Sequence, residues 1–182
     1  MSHNVIDPKA FRQVLGHYPT GVTVVTTVDA EGVPRGLTAN SFTSVSLDPP
    51  LLLVCLGKAT ASHPVFMAST HFAVNVLADT QRDTSNLFAS KASDKFEQAA
   101  WQPAASGAPL IDDSLAWFDC RVHQRIDAGD HTILIGQVQA MGQRSGRPLG
   151  YCQGGYVGLQ ALPSATPNTP TAPGAPTAPQ PA

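Results

Sequence analysis

Three clusters of small polar and charged residues carry the chemistry this sequence has to offer. The first is Thr38-Ala39-Asn40-Ser41-Phe42-Thr43-Ser44-Val45-Ser46, placed just before Asp48-Pro49-Pro50. Side chains this short leave backbone N–H and C=O groups open, which suits a flat heteroaromatic ring that needs hydrogen bonds along its edge. The same residues also make an ordinary loop of turn formers. The second cluster is Cys55-Leu56-Gly57-Lys58-Ala59-Thr60-Ala61-Ser62. Lys58 offers a cation, and Thr60 and Ser62 offer hydroxyls at the start of an expected helix, whose free amides attract phosphate. A solvated lysine and a plain helix cap account for the same residues. Arg82, near the start of another expected helix, is a second phosphate cation or a solvated arginine. The third cluster is Gly129-Asp130-His131-Thr132. Its glycine allows a tight turn, and its carboxylate can hold the neighbouring imidazole in one tautomer or raise its pKa. Tyr156, within Gly154-Gly155-Tyr156-Val157-Gly158, can stack on a ring or cap a core.

Other chemistries lack their residues. There is no HExxH, no CxxC pair and no EF-hand spacing, and the six histidines show no metal-ligand pattern. Gly57-Lys58 has the ending of a phosphate loop, but Leu52 stands where the loop needs glycine and Ala59 where it needs Ser or Thr. No GxGxxG follows an expected strand and no GxSxG elbow occurs.

The elements that must position these clusters are mostly strands. Asp7-Pro8 opens a helix, and Phe11, Val14, Leu15 and Tyr18 fall on one face of it, so the helix is expected to pack on something apolar. Gly21 to Val28 is dense in β-branched residues, Asp29-Ala30-Glu31-Gly32 makes a turn, and Val33 to Asn40 returns as the second strand of a hairpin. Ser41 to Leu47, the buried run Leu51 to Leu56, His71 to Leu77, Ala116 to Ile126 and Thr132 to Met141 read as further strands. Short helices fit between them, one with a capping box at Thr80-Gln81-Arg82-Asp83 ahead of Leu87 and Phe88, another capped by Ser93. Without long crossover helices, an antiparallel sheet closing into a barrel is favoured over a parallel sheet.

The chain has 182 residues, 42% of them apolar and only 13% charged, with a net charge of −2. That balance gives no electrostatic reason to approach nucleic acid or an anionic membrane. The charged share is about half the usual one, and self-association is one way to hide so much uncharged surface. The longest strongly apolar run, Leu51 to Leu56, falls far short of the roughly 20 residues that span a bilayer. Met1 to Ala10 lacks the apolar core of an export signal, and Cys55, Cys120 and Cys152 are an odd set without pairing motifs, so the cytoplasm is the expected compartment. Residues 1–160 are read as one domain and 161–182 as a disordered Pro/Ala/Thr-rich tail that cannot bury enough apolar surface to order itself.

Taken in order, Tyr18 to Thr26, Gly36 to Pro50, Phe72-Ala73-Val74-Asn75-Val76-Leu77, Gly129-Asp130-His131 and Gly154-Gly155-Tyr156 resemble the short-chain flavin reductase family, the reductase components of two-component flavin-dependent monooxygenases. The resemblance implies a mainly β protein with short helices, an FMN-binding split β-barrel, antiparallel and Greek-key-like, assembled as a homodimer. It implies an NAD(P)H:flavin oxidoreductase that reduces FMN or FAD with NADH, or with NADPH, and supplies free reduced flavin to a monooxygenase acting on an aromatic, phenolic compound. By position, Asn40, Ser41, Thr43, Ser44 and Ser46 would border the flavin ring or ribityl chain. Cys55, Lys58 and Ser62 would lie along the ribityl phosphate, and Phe88 would line the flavin site. His131, the catalytic residue of this reading, and Tyr156 would sit on the nicotinamide side. Lacking a cluster of arginines for a 2′-phosphate, the chain favours NADH. The alternatives are a flavin- or haem-binding split barrel that stores or senses without catalysis, and an interaction module using the PxxP spacings of the tail.

Overall fold

The computed structural model describes residues 6–161, so most of the expected tail lies outside the described residues. Helix α1 (Pro8–Leu15) starts as its letters dictate, with the Asp7 carboxylate accepting from the amides of Lys9 and Ala10 at 3.3 and 2.9 Å. Its apolar face is not covered, however. Phe11, Val14 and Leu15 are each more than half exposed, because no other element among the described residues covers them.

After α1 come β1 (Thr20–Gly21), β2 (Thr23–Val28), β3 (Pro34–Ala39), β4 (Thr43–Leu47) and β5 (Pro50–Gly57), then α2 (His63–Ala68) and β6 (His71–Val76). A single 3₁₀ turn leads into α3 (Arg82–Ala89), followed by α4 (Lys95–Gln98), β7 (Trp101–Pro103) and β8 (Pro109–Ile111). The long pair β9 (Ala116–Ala128) and β10 (His131–Gln143) and the short β11 (Leu149–Cys152) and β12 (Gly155–Gly158) complete the chain. Seven strands form one antiparallel sheet in the order β3-β2-β6-β9-β10-β5-β4. Its outermost strands, β3 and β4, are consecutive in the chain and separated only by residues 40–42. Such a link reaches at most about 14 Å, so the two edges must be brought together and the sheet curls into a barrel.

Alternation on β5 shows where the core lies. Leu52, Val54 and Leu56 are buried, packing with Val25, Phe66, Phe72, Val74, Cys120 and Leu134, whereas Leu51, Leu53 and Cys55 face outward and are half-buried. At Gly136 on β10 a Cβ would fall 2.4 Å from Phe72 Cζ, so the barrel interior is filled by that phenyl ring at the expense of a side chain opposite. Burial, with Asp119 beside it, pushes the Cys120 thiol up to about 12, which leaves it protonated and inert.

The two-stranded β7–β8 ribbon, absent from the pattern reading, hangs on buried polar groups. Asn75, fully buried, donates from Nδ2 to the Val24 carbonyl at 3.1 Å and accepts the Ile111 amide at 2.9 Å. Thr26 Oγ1 donates to the Pro109 carbonyl at 2.6 Å, and buried Asp119 accepts from the Ser106 hydroxyl at 2.5 Å. Two local expectations shift. The box ahead of α3 is closed by Gln81, whose Oε1 accepts the Ala78 amide at 3.0 Å, because Thr80 falls inside the 3₁₀ turn. Asp94, not Ser93, stands before α4.

Candidate functional site

Ser41, Cys55, Lys58 and His131 gather at the end of β5. On one side of that strand, the segment linking β3 to β4 is clipped down by Ser41, whose Oγ accepts the Cys55 amide at 2.9 Å and donates to the Cys55 carbonyl at 3.1 Å. The Ser41 hydroxyl is therefore spent on holding the chain. On the other side, β10 begins at His131, in register with Gly57 of β5. Ser41 and residues 129–131 thus flank the end of β5, at Cys55 and at Gly57 to Lys58, whereas Thr43, Ser44 and Ser46 run back along the first half of the strand, beside Leu53, Leu52 and Leu51.

Beyond β5, the chain turns into α2. The Lys58 amide donates to the Asp130 carbonyl at 2.9 Å, and Lys58 Nζ donates to Asp127 Oδ1 and, at 2.7 Å, to the Gly129 carbonyl. An ammonium has three donors, so one remains for another anion. Thr60 Oγ1 donates to the Gly57 carbonyl at 2.8 Å, and His63 Nε2 lies 3.0 Å from Thr132 Oγ1, fastening the start of α2 to β10. Ser62 precedes α2 without capping it through its side chain. The amides of Ala59, Ala61 and Ser62 bond to no other described residue.

His131 is exposed, and its Nδ1 lies 2.7 Å from Asp130 Oδ1. That bond and the imidazole charge hold the Asp130 carboxyl below the usual carboxylate range, with Arg12 of α1 adding a smaller attraction. With Nδ1 engaged, Nε2 is the nitrogen left to meet a ligand. In the neutral ring it accepts; in the imidazolium it donates.

Backbone groups at the sheet margin are open as well. Among the described residues strand β4 pairs only with β5, and it carries an irregularity between Ser44 and Ser46. Thr43 and Ser44 are exposed, as is Asn40, and Ser46 is half-buried. An unpaired strand margin with small side chains fits a flat ring that hydrogen-bonds along its edge.

Tyr156 belongs to a second group joined to the first through β3. Its hydroxyl lies 2.9 Å from Ser85 Oγ and donates to Asn86 Oδ1 at 2.8 Å, while Thr38 Oγ1 donates to the Ser85 carbonyl at 2.7 Å. Tyr151 meets its ring edge-on at 5.6 Å. Phe88 is not at any surface. It is 1% exposed, packed edge-on against Phe96 at 5.0 Å and filling the space beside Gly36, because α3 turns that face toward the core. The expectation that its ring lines a ligand site is corrected accordingly. Asp127, His63, Ser85 and Asn86 escaped sequence reading. Asp127 is 69 positions from Lys58, and only the fold brings such pairs together.

Two concavities, of about 490 and 540 Å³, lie elsewhere, one around Asp29, Ser69 and His71 and the other around Gln81, Asp112 and Arg144. The corner at the end of β5 is an open surface in the single chain. Among the described residues no helix is long and apolar enough to cross a membrane.

The class defined by this arrangement is a small antiparallel barrel with an exposed polar corner where its sheet closes. The pattern of the flavin reductase like domain matches residues 15–160, and the chain belongs to that family. A probable flavin reductase of Rhizobium meliloti is 49% identical over 156 residues, 86% of this chain and 50% of that protein. The reductase component of the trigonelline monooxygenase of Acinetobacter baylyi is 48% identical over 81% of this chain and 48% of its own length. The chain therefore spans about half the length of these two curated relatives. Among solved structures, the NADH:FAD oxidoreductase of Streptomyces globisporus C-1027, in complex with NAD and FAD fragments, is 40% identical with a TM-score of 0.80, covering 90% of this chain and 100% of that one.

Proposed function

We propose that this chain is an NAD(P)H-dependent flavin reductase, transferring hydride from NADH, or NADPH, to FMN or FAD and releasing reduced flavin to a separate monooxygenase. The observation that supports it most is that β5 carries all three clusters in a member of the flavin reductase family, with Ser41 and Gly129 to His131 at its end and Thr43 to Ser46 alongside its first half. When bound, the nicotinamide supplies the hydride and the flavin ring accepts it, so no nucleophile is needed from the protein.

The chain's own residues bind and orient. Open backbone groups along β4, with Asn40, Thr43, Ser44 and Ser46, hold the edge of the ring. Cys55 and Ser62 border the ribityl side, and the third Lys58 donor and the amides of Ala59, Ala61 and Ser62 take its phosphate. His131 Nε2, fixed by the Asp130 contact on Nδ1, accepts from a carboxamide N–H when neutral and delivers a proton when charged. Ser41 acts by anchoring the segment to Cys55. Tyr156 borders the nicotinamide side.

The reading includes a homodimer in the cytoplasm. Leu51 and Leu53 of β5 and Ile133 and Ile135 of β10 share the outer face of the barrel and are half-buried, and Val45 beside them is exposed, so a second copy has an apolar face to cover. An aromatic, phenolic substrate for the partner oxygenase is its finest part. Relatives named for stachydrine, trigonelline and styrene make the range of oxygenases wider than phenols.

The test is anaerobic mixing of the protein with FMN or FAD and NADH or NADPH, following flavin bleaching. His131→Ala is expected to raise the KM for NADH about tenfold, the loss of one good hydrogen bond, while flavin affinity changes less than twofold. Equal loss of both would make His131 structural, and no flavin-dependent NADH or NADPH oxidation by the native protein would favour the storage reading.

A further inference from the structure

We propose that Arg82 binds the diphosphate of a dinucleotide cofactor, nicotinamide or flavin, and thereby sets which cofactors the site uses; this rests on the flavin reductase reading above. The Arg82 guanidinium sits 5.4 Å above the Tyr156 ring centroid. That ring is locked, since its hydroxyl is held by Ser85 and Asn86 and its edge by Tyr151. A guanidinium resting on an aromatic face keeps its N–H groups directed outward in its own plane, the geometry that meets two phosphate oxygens at once.

Those N–H groups are unspent. Arg35, Lys58, Arg144 and Arg147 each face a carboxylate, and Lys95 and Arg125 donate to backbone carbonyls. Arg82 makes no ion pair or hydrogen bond with any described residue. It is held in place by a ring, and its charge is left for something else.

Its position says what that is. Thr38 is tied to Ser85 and Ser41 to Cys55, so residues 38–41 run from α3 and Tyr156 to the end of β5, just beyond which Lys58 lies. A mononucleotide flavin has one phosphate, for which Lys58 and its neighbouring amides suffice. A second cation beside Tyr156, on the nicotinamide side, calls for a second phosphate group. NADH and FAD both carry a diphosphate between their two halves, and either supplies it.

Arg82→Gln and Arg82→Lys are to be compared with the native protein in steady-state turnover using NADH with FMN, NADH with FAD, and N-benzyl-dihydronicotinamide, a hydride donor without phosphate, with riboflavin. Arg35→Gln, in the β2–β3 hairpin, serves as a charge-matched control. Binding of ADP-ribose and of adenosine is measured by calorimetry alongside. Arg82→Gln is expected to raise the KM for NADH, or for FAD relative to FMN, about tenfold, to weaken ADP-ribose but not adenosine about tenfold, and to leave the phosphate-free pair unchanged. Arg82→Lys should recover only part of the loss. A rise for NADH alone assigns the diphosphate to the nicotinamide cofactor; a rise for FAD alone assigns it to flavin. Unchanged KM and ADP-ribose affinity in Arg82→Gln would overturn the proposal, as would an equal loss with the phosphate-free pair or in Arg35→Gln. A native protein that binds ADP-ribose through Arg82 yet oxidises no reduced nicotinamide would sink the reductase reading and leave this site standing.

Discussion

Two polar networks of similar size do opposite things in this barrel. The side chains of Asn75, Thr26 and Asp119 are buried, and their partners are mostly backbone groups of the β7–β8 ribbon and its loop. Around Lys58, Asp127, Asp130 and His131 the side chains are largely exposed, and Lys58 and His131 keep unused bonding capacity pointed at solvent. Burial makes an unpaired group in the first network expensive, so that network fixes structure. Exposure makes the same loss cheap in the second, which leaves it available for a ligand.

The sharpest way to break that contrast is Asn75→Ala. It strands the Val24 carbonyl and the Ile111 amide in the interior and should cost about 3 kcal/mol, read as a lowered denaturation midpoint, with the KM values of the folded fraction unchanged. A cost under about 0.5 kcal/mol would mean that water or rearrangement satisfies those groups, and the two networks would not differ in kind. Next is Lys58→Ala, which should weaken FMN several-fold more than riboflavin while moving the midpoint little, since the exposed Asp127 pair contributes at most about 1 kcal/mol. An unchanged FMN to riboflavin ratio would return Lys58 to the role of a turn clip. The smallest effect concerns acid. His131 holds the Asp130 carboxyl below its ordinary range, so the stabilisation this gives is present above the unfolded carboxylate pKa and fades as pH falls through the lowered folded value. Asp130→Asn should flatten that part of the acid-stability profile, measured by thermal unfolding below the ordinary carboxylate range, and a profile identical to native would show that the contact carries no net stabilisation.

The legible parts of the sequence were those whose cause is local. The β-branched run in β2, the Asp29 to Gly32 turn and the alternation in β5 each announced their strand, because strand propensity and pleat act over a few residues. Asp29 shows the same locality: burial opposes its charge, but the Val33 amide, Arg35 and the Glu31 amide outweigh it and hold its carboxyl low. The cluster letters were legible too, and His131, Lys58 and Ser41 do meet at one corner. What each side chain does there was not. Ser41 and Lys58 spend their donors on Cys55, Asp127 and Gly129, partners chosen by register, and Phe88 points inward because Gly36 leaves room for it. The uncovered face of α1 obeys the amphipathic pattern while the pattern is silent on what covers it. Short strands such as β7, β8 and β12 have too few residues to show a period at all.

Residues 40–42 join the two outermost strands of the sheet, so under the proposed function ligand occupancy there is coupled to the integrity of the whole barrel. Anything seated against that hinge pulls on both margins of the curled sheet at once, where a guest lodged in a surface loop would tug only on the loop. A cofactor bound here as proposed would then also be a latch, and heat tolerance would become a meter of how often the latch is closed.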